Sequence, residues 1–145
     1  MIQRLQSIFL LLSGVCFFSL FGVPFATSSV AIPYLLSDMV YNIQDNVILM
    51  ILCGLGGLVS IVAIFLYNNR AFQIKLSYLA TVFAILLPVV AILLIYNEGT
   101  ATTQADKIQD KFGIYLPIVS LVFSVLATRF INKDESTVRS MDRLR

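Results

Sequence analysis

The chain has 145 residues, ten Lys and Arg against eight Asp and Glu, a net charge of +2 and no histidine. Apolar residues make up 59% and charged residues 12%, whereas soluble domains carry roughly 45–50% and about a quarter. That balance leaves too few polar side chains to clothe a soluble domain, and the missing histidine excludes His-based acid–base catalysis and His-ligated metals.

The apolar residues fall into four blocks, at 7–25, 47–67, 76–96 and 113–131. Each is close to the roughly 20 residues that cross a hydrocarbon core of about 30 Å. None alternates with period two as a membrane barrel strand does, and helices satisfy their own backbone in lipid. The expected fold is all-α integral membrane: four transmembrane helices within residues 1–131, then a short charged tail, 132–145.

The first block has a basic start at Arg4 and small residues after it, as a signal peptide would. Its apolar run is longer than most signal cores, and retention as a helix is expected. The following loop, VPFATSSVAIPYLLSDMVYNIQD, is apolar for a loop. It is expected either to lie in the membrane interface, with Tyr34 and Tyr41 at headgroup level, or to pack back over the helix ends.

The second block contains CGLGGLVS, in which Cys53 and Gly57, and Gly56 and Ser60, are small residues four apart, with Gly54 as a further notch. Small-xxx-small spacing lets another helix approach closely. Cys53, Gly54, Gly56, Gly57 and Ser60 are therefore helix-packing candidates, serving a partner, a second copy or the bundle itself. Cys16 and Cys53 form no CxxC pair and read as packing residues.

Pro88 in the third block and Pro117 in the fourth are expected kinks or end adjustments. The loop between these blocks, NEGTATTQADKIQDKF, is polar; Asp106, Lys107, Asp110 and Lys111 suit a short solvated helical turn, and no metal site is expected there. Arg129 is the one ionisable residue inside a block, close enough to its end to snorkel to headgroups. Ser13, Ser60, Ser120 and Ser124 have no evident base to activate them. The blocks hold no Asp, Glu or Lys, the residues on which pumps and transporters depend. No enzyme activity and no cofactor is expected.

Eight of the ten basic residues fall on one side if both termini share it: Arg4, Arg70, Lys75, Arg129, Lys133, Arg139, Arg143 and Arg145. Positive charge marks the cytoplasmic side, so both termini are expected inside. The tail, NKDESTVRSMDRLR, permits a helix capped at Asn132, with Glu135 and Arg139 one turn apart. Its interleaved Glu135, Arg139, Asp142 and Arg143 suit docking to a protein surface, and equally a solvated amphipathic tail.

The start, MIQRLQSIFLLL, and the finish, KDESTVRSMDRLR, resemble an uncharacterised domain-of-unknown-function family of small four-span inner-membrane proteins of Bacteroidota. The resemblance covers the whole chain in length and span count. It implies a bacterial cytoplasmic membrane and carries over no catalytic residues. The expected function is a non-enzymatic accessory or scaffold subunit of a larger inner-membrane assembly. Its partners would be membrane lipids, other integral membrane proteins and a cytosolic protein on the tail, with no nucleic acid. The alternative is a small transporter, channel or lipid-handling protein.

Overall fold

Apolar runs that must satisfy their own backbone become helices, and helices dominate the described residues. The computed structural model describes residues 2–29, 38–97 and 108–142. In chain order these form α1 (Ile2–Ser19), β1 (Ala26–Ser28), β2 (Val40–Tyr41), a 3-10 turn (Ile43–Asp45), α2 (Val47–Phe65), α3 (Arg70–Asn97), β3 (Ile108–Asp110), a second 3-10 turn (Phe112–Ile114) and α4 (Leu116–Asp142).

Asparagines set two of the helix starts. At the head of α2, the Asn46 side chain accepts the Ile48 N–H at 2.9 Å. Ahead of α3, Asn69 accepts the Phe72 N–H through its side chain at 3.3 Å and the Gln73 N–H through its carbonyl at 2.9 Å. Both relieve backbone donors that no helical carbonyl can reach. Residues 66–69 alone join α2 to α3, a tight helical hairpin. Each helix packs on its sequence neighbours and α4 closes against α1, making a four-membered ring.

Two expected boundaries change. The first apolar block runs to Phe25, but α1 stops at Ser19. Pro24 lacks an N–H and disfavours helical geometry at Val23, so the chain turns, and Leu20 and Phe25 are buried in the end of the bundle instead. The 18 residues of α1 extend about 27 Å. Val47–Phe65, Arg70–Tyr96 and Phe112–Val138 are long and apolar enough to cross a membrane, whereas Leu5–Ser19 is a shorter apolar helix.

The second change concerns the tail. No new helix starts at Asn132, because α4 runs unbroken from Leu116 to Asp142. The Asn132 amide, free of any capping task, donates to the Tyr78 hydroxyl of α3 at 3.2 Å. Tyr34 lies outside the described residues.

The loops opposite the tail meet in a three-stranded antiparallel sheet, ordered β2-β1-β3. Ala26 faces Tyr41 on one side and Asp110 on the other. Residues 108–110 are therefore a strand and not part of a helical turn; Asp106 and Lys107 lie outside the described residues. The chain returns to α2 through Met39, which holds a left-handed φ of 64°. Gly113 closes the other end: its N–H donates to the Pro24 carbonyl at 3.1 Å, and a Cβ there would stand 2.3 Å from that oxygen. Only glycine fits this approach.

Inside the ring, two apolar clusters are separated by hydroxyls. Phe17, Leu20, Tyr41, Ile43, Leu49 and Leu87 fill the sheet end, while Leu10, Ala63, Ala127 and Ile131 fill the tail end. Between them every helix contributes a hydroxyl. Ser13 and Ser120 share a hydrogen bond of 2.9 Å across α1 and α4. Ser77 bonds Thr128, and the Thr81 and Ser124 hydroxyl oxygens lie 3.2 Å apart, across α3 and α4. Ser60 donates to the Gly56 carbonyl of its own helix at 2.9 Å. Buried hydroxyls need such partners, and in lipid they hold helices together.

The outer surface is banded. Tyr96, Phe112 and Tyr115 are exposed around the sheet end, and Phe65, Tyr67, Phe72 and Tyr78 towards the tail end. The exposed residues between them include Leu55, Leu58, Val82, Ile85, Val89 and Val122. On α3 the two bands are 18 residues apart, Tyr78 to Tyr96, or about 27 Å. That spacing matches a hydrocarbon core flanked by aromatic belts.

Candidate functional site

A cavity of about 340 Å³ opens at the sheet end, between α3 and the start of α4. Phe25, Ala26 and Tyr41 roof it from the sheet. Pro88, Ala91, Ile92 and Ile95 form the α3 wall, and Ile114 of the second 3-10 turn and Pro117 of α4 the wall opposite, with Asp110 at the rim. Small Ala26 and Ala91 leave room where larger residues would fill it. Tyr41 is fully buried, and its hydroxyl donates to the Ala91 carbonyl at 3.2 Å, tying the roof to α3. Exposed Ile92 and Asp110 give the cavity one apolar and one charged border.

The two prolines expected as kinks share this cavity but differ in role. Pro88 lies inside α3, where its missing N–H leaves the Ala84 carbonyl without its helical donor. Pro117 is the second residue of α4, where an N–H would have no helical partner anyway. Composition alone hid the cavity because its lining comes from four separated parts of the chain.

The packing candidates of α2 fall into two groups. Cys53, Gly56, Gly57 and Ser60 are buried and receive α1. Cys53 Sγ lies 2.8 Å from the Phe17 carbonyl, with the thiol donating. A Cβ on Gly56 would stand 2.6 Å from the Phe17 ring, and one on Gly57 would stand 2.8 Å from the Phe18 ring. Gly54 does not share this face: a Cβ there would meet nothing within 4 Å. The small-residue notch is thus filled by the protein's own first helix.

Of the docking candidates, one is described with its side chain. Glu135 is half-buried on α4; the side chains of Arg139 and Asp142, and Arg143 entirely, lie outside the described residues. The neighbouring Asp134 pairs with Arg70 of α3 at 3.3 Å, so this acid of the tail segment is engaged within the molecule. Two buried glutamines that the apolar reading passed over work at the same end. Gln6 donates to the Phe130 carbonyl and Gln73 to the Ala63 carbonyl, both at 3.0 Å. Among the described residues, no three His, Cys, Asp or Glu side chains gather as a metal site would require.

The fold and cavity define a helical-bundle protein of membrane-crossing dimensions with an apolar pocket at one end. The chain belongs to the DUF4293 family, a domain of unknown function whose model matches residues 2–144. No curated protein and no solved structure matches it.

Proposed function

We propose that this protein is a non-enzymatic, four-span protein of a bacterial inner membrane that holds a lipid-like molecule at the sheet end of its bundle. The cavity carries the reading. Its volume of about 340 Å³ falls near the lower end of the range for ligand sites, roughly 300–1,000 Å³. Its walls are almost wholly apolar, with one carboxylate at the rim, suited to a single acyl or isoprenoid chain and its polar head. Membership of α1 in the closed ring supports a fourth span despite its length. Arg70, Lys75, Arg129 and Lys133 at the tail end support a cytoplasmic position for both termini.

The test is the lipid retained by purified protein, with Ala91→Phe as the filled-cavity variant. Wild type should carry about one apolar molecule per chain, and the variant should lose it while keeping its helicity. Wild type without any stoichiometric apolar molecule would contradict the proposal.

A second reading, an accessory subunit docked through the tail, is supported by the last turns of α4. There Ser136, Thr137, Val138 and Ser140 are exposed beyond the core. Arg139→Ala combined with Arg143→Ala should then abolish recovery of a stoichiometric partner without affecting insertion. Unchanged recovery would refute docking through these arginines.

A further inference from the structure

At the opposite end from the cavity, a groove of about 210 Å³ runs between α3 and α4, lined by Tyr78, Thr81, Val125, Thr128, Arg129 and Asn132. We infer that this groove binds the phosphate of an anionic phospholipid from the surrounding leaflet, with Arg129 and Tyr78 as its ligands. The inference is independent of the sheet-end cavity and requires only that the bundle sit in a bilayer.

The groove is a set of donors without an acid. Arg129 offers a guanidinium with five N–H groups, and no carboxylate lines the groove or pairs with Arg129 among the described residues. Tyr78 accepts a hydrogen bond from the Asn132 amide at 3.2 Å, so its own O–H remains to be donated. Thr81 and Thr128 are committed elsewhere, donating to the Ser77 and Ser124 carbonyls at 2.9 Å; they shape the groove rather than fill it. A guanidinium beside a phenol O–H is suited to phosphate oxygens, which accept charge-assisted hydrogen bonds in a planar fork.

Position selects a lipid over a soluble phosphate. Arg129 lies five residues from Asp134, whose pair with Arg70 marks the polar end of α3 and α4, so it stands about 7–8 Å nearer the bundle centre. That places it at the inner edge of a headgroup layer about 5–8 Å thick. Val82 and Val122, one helical turn from the groove residues Tyr78 and Val125 towards the bundle centre, are exposed and apolar. A ligand entering laterally with its acyl chains along this apolar surface reaches Arg129 without leaving the membrane.

The experiment is native mass spectrometry and thermal unfolding of the full chain with added phosphatidylglycerol, phosphatidylcholine or inorganic phosphate. Phosphatidylglycerol should be retained preferentially and raise the melting temperature, whereas inorganic phosphate should do neither. Arg129→Gln should weaken phosphatidylglycerol retention about tenfold, Tyr78→Phe should weaken it less, and Lys133→Gln should leave it unchanged. Equal retention of the two lipids by wild type would overturn the assignment. So would a loss in Lys133→Gln as large as in Arg129→Gln, which would mean diffuse attraction. Stabilisation by inorganic phosphate alone would overturn the lipid source.

Discussion

Phe17 of α1 occupies the space that a side chain on Gly56 of α2 would need, with its ring 2.6 Å from the Cβ position. Phe17 is fully buried and cannot retreat, whereas Phe18, which blocks Gly57 in the same way, is partly exposed and can swing outward. Gly56→Ala should therefore destabilise the bundle by about 1–3 kcal/mol, the usual cost of overpacking. Gly57→Ala should cost less, and Gly54→Ala should be neutral or gain up to about 1 kcal/mol from helix propensity. Thermal unfolding of the three variants in one detergent checks the order. Equal effects at Gly54 and Gly56 would contradict the packing of α1 on this face.

At Gly113 the obstacle is backbone, the Pro24 carbonyl, rather than a ring. Gly113→Ala should exceed Gly56→Ala in cost, because the strand and the start of α4 must move apart together. The cavity lies beside this junction, so the variant should also lose any bound apolar molecule. Comparing the melting temperatures and the retained lipid of the two variants checks both points.

The hydroxyl belt makes a prediction about coupling. Ser120→Ala leaves the Ser13 hydroxyl without its cross-helix partner, whereas after Ser13→Ala the Ser120 hydroxyl still reaches the Ser13 carbonyl at 3.3 Å. Each single variant should lose about 0.5–1.5 kcal/mol, Ser13→Ala the less. The double variant should cost less than the two singles added together. The coupling should be near 0.6 kcal/mol, typical of such pairs in membrane bundles. Strict additivity in a double-mutant cycle would show that the two hydroxyls act independently.

Arg70 and Asp134 join the head of α3 to the far part of α4 with side chains 30% and 16% exposed. Both side chains are mostly covered, and Arg70 Nη1 is buried without a hydrogen-bond partner among the described residues. The pair therefore stands between exposed pairs worth about 0–1 kcal/mol and buried ones whose breaking costs about 3–5 kcal/mol. Asp134→Asn, which leaves the guanidinium without its counter-charge, should cost about 1–3 kcal/mol in thermal unfolding. A shift below about 0.5 kcal/mol would mean that the pair behaves as an open surface pair.

How much of this could be read in advance follows from the range of each interaction. The blocks at 47–67, 76–96 and 113–131 stand out because the lipid-facing side of a helix must be apolar and the core side mostly so, a signal that needs no knowledge of partners. The end of α1 falls short of its apolar block because Leu20 and Phe25 are as apolar as a span, and Pro24 alone signals the turn between them. The sheet left no trace: its strands have two or three residues, too few for alternation, and Ala26 pairs with Asp110 across most of the chain. CGLGGLVS announced a notch, but spacing alone could not say that Phe17 and Phe18 fill it. Asp134 and Arg70 were visible as charges, yet nothing local linked them, and the cavity likewise exists only once four distant segments meet.

The most direct test of the central claim is photo-crosslinking with a diazirine-bearing fatty acid in bilayers, with the labelled residues mapped by mass spectrometry. Residues at the cavity mouth, Ile92, Ile95 and Ile114, should be labelled well above the equally apolar lipid-facing residues Leu58, Val62 and Val122, and Ala91→Phe should abolish the excess. Uniform labelling around the bundle, unaffected by Ala91→Phe, would contradict a lipid-holding cavity.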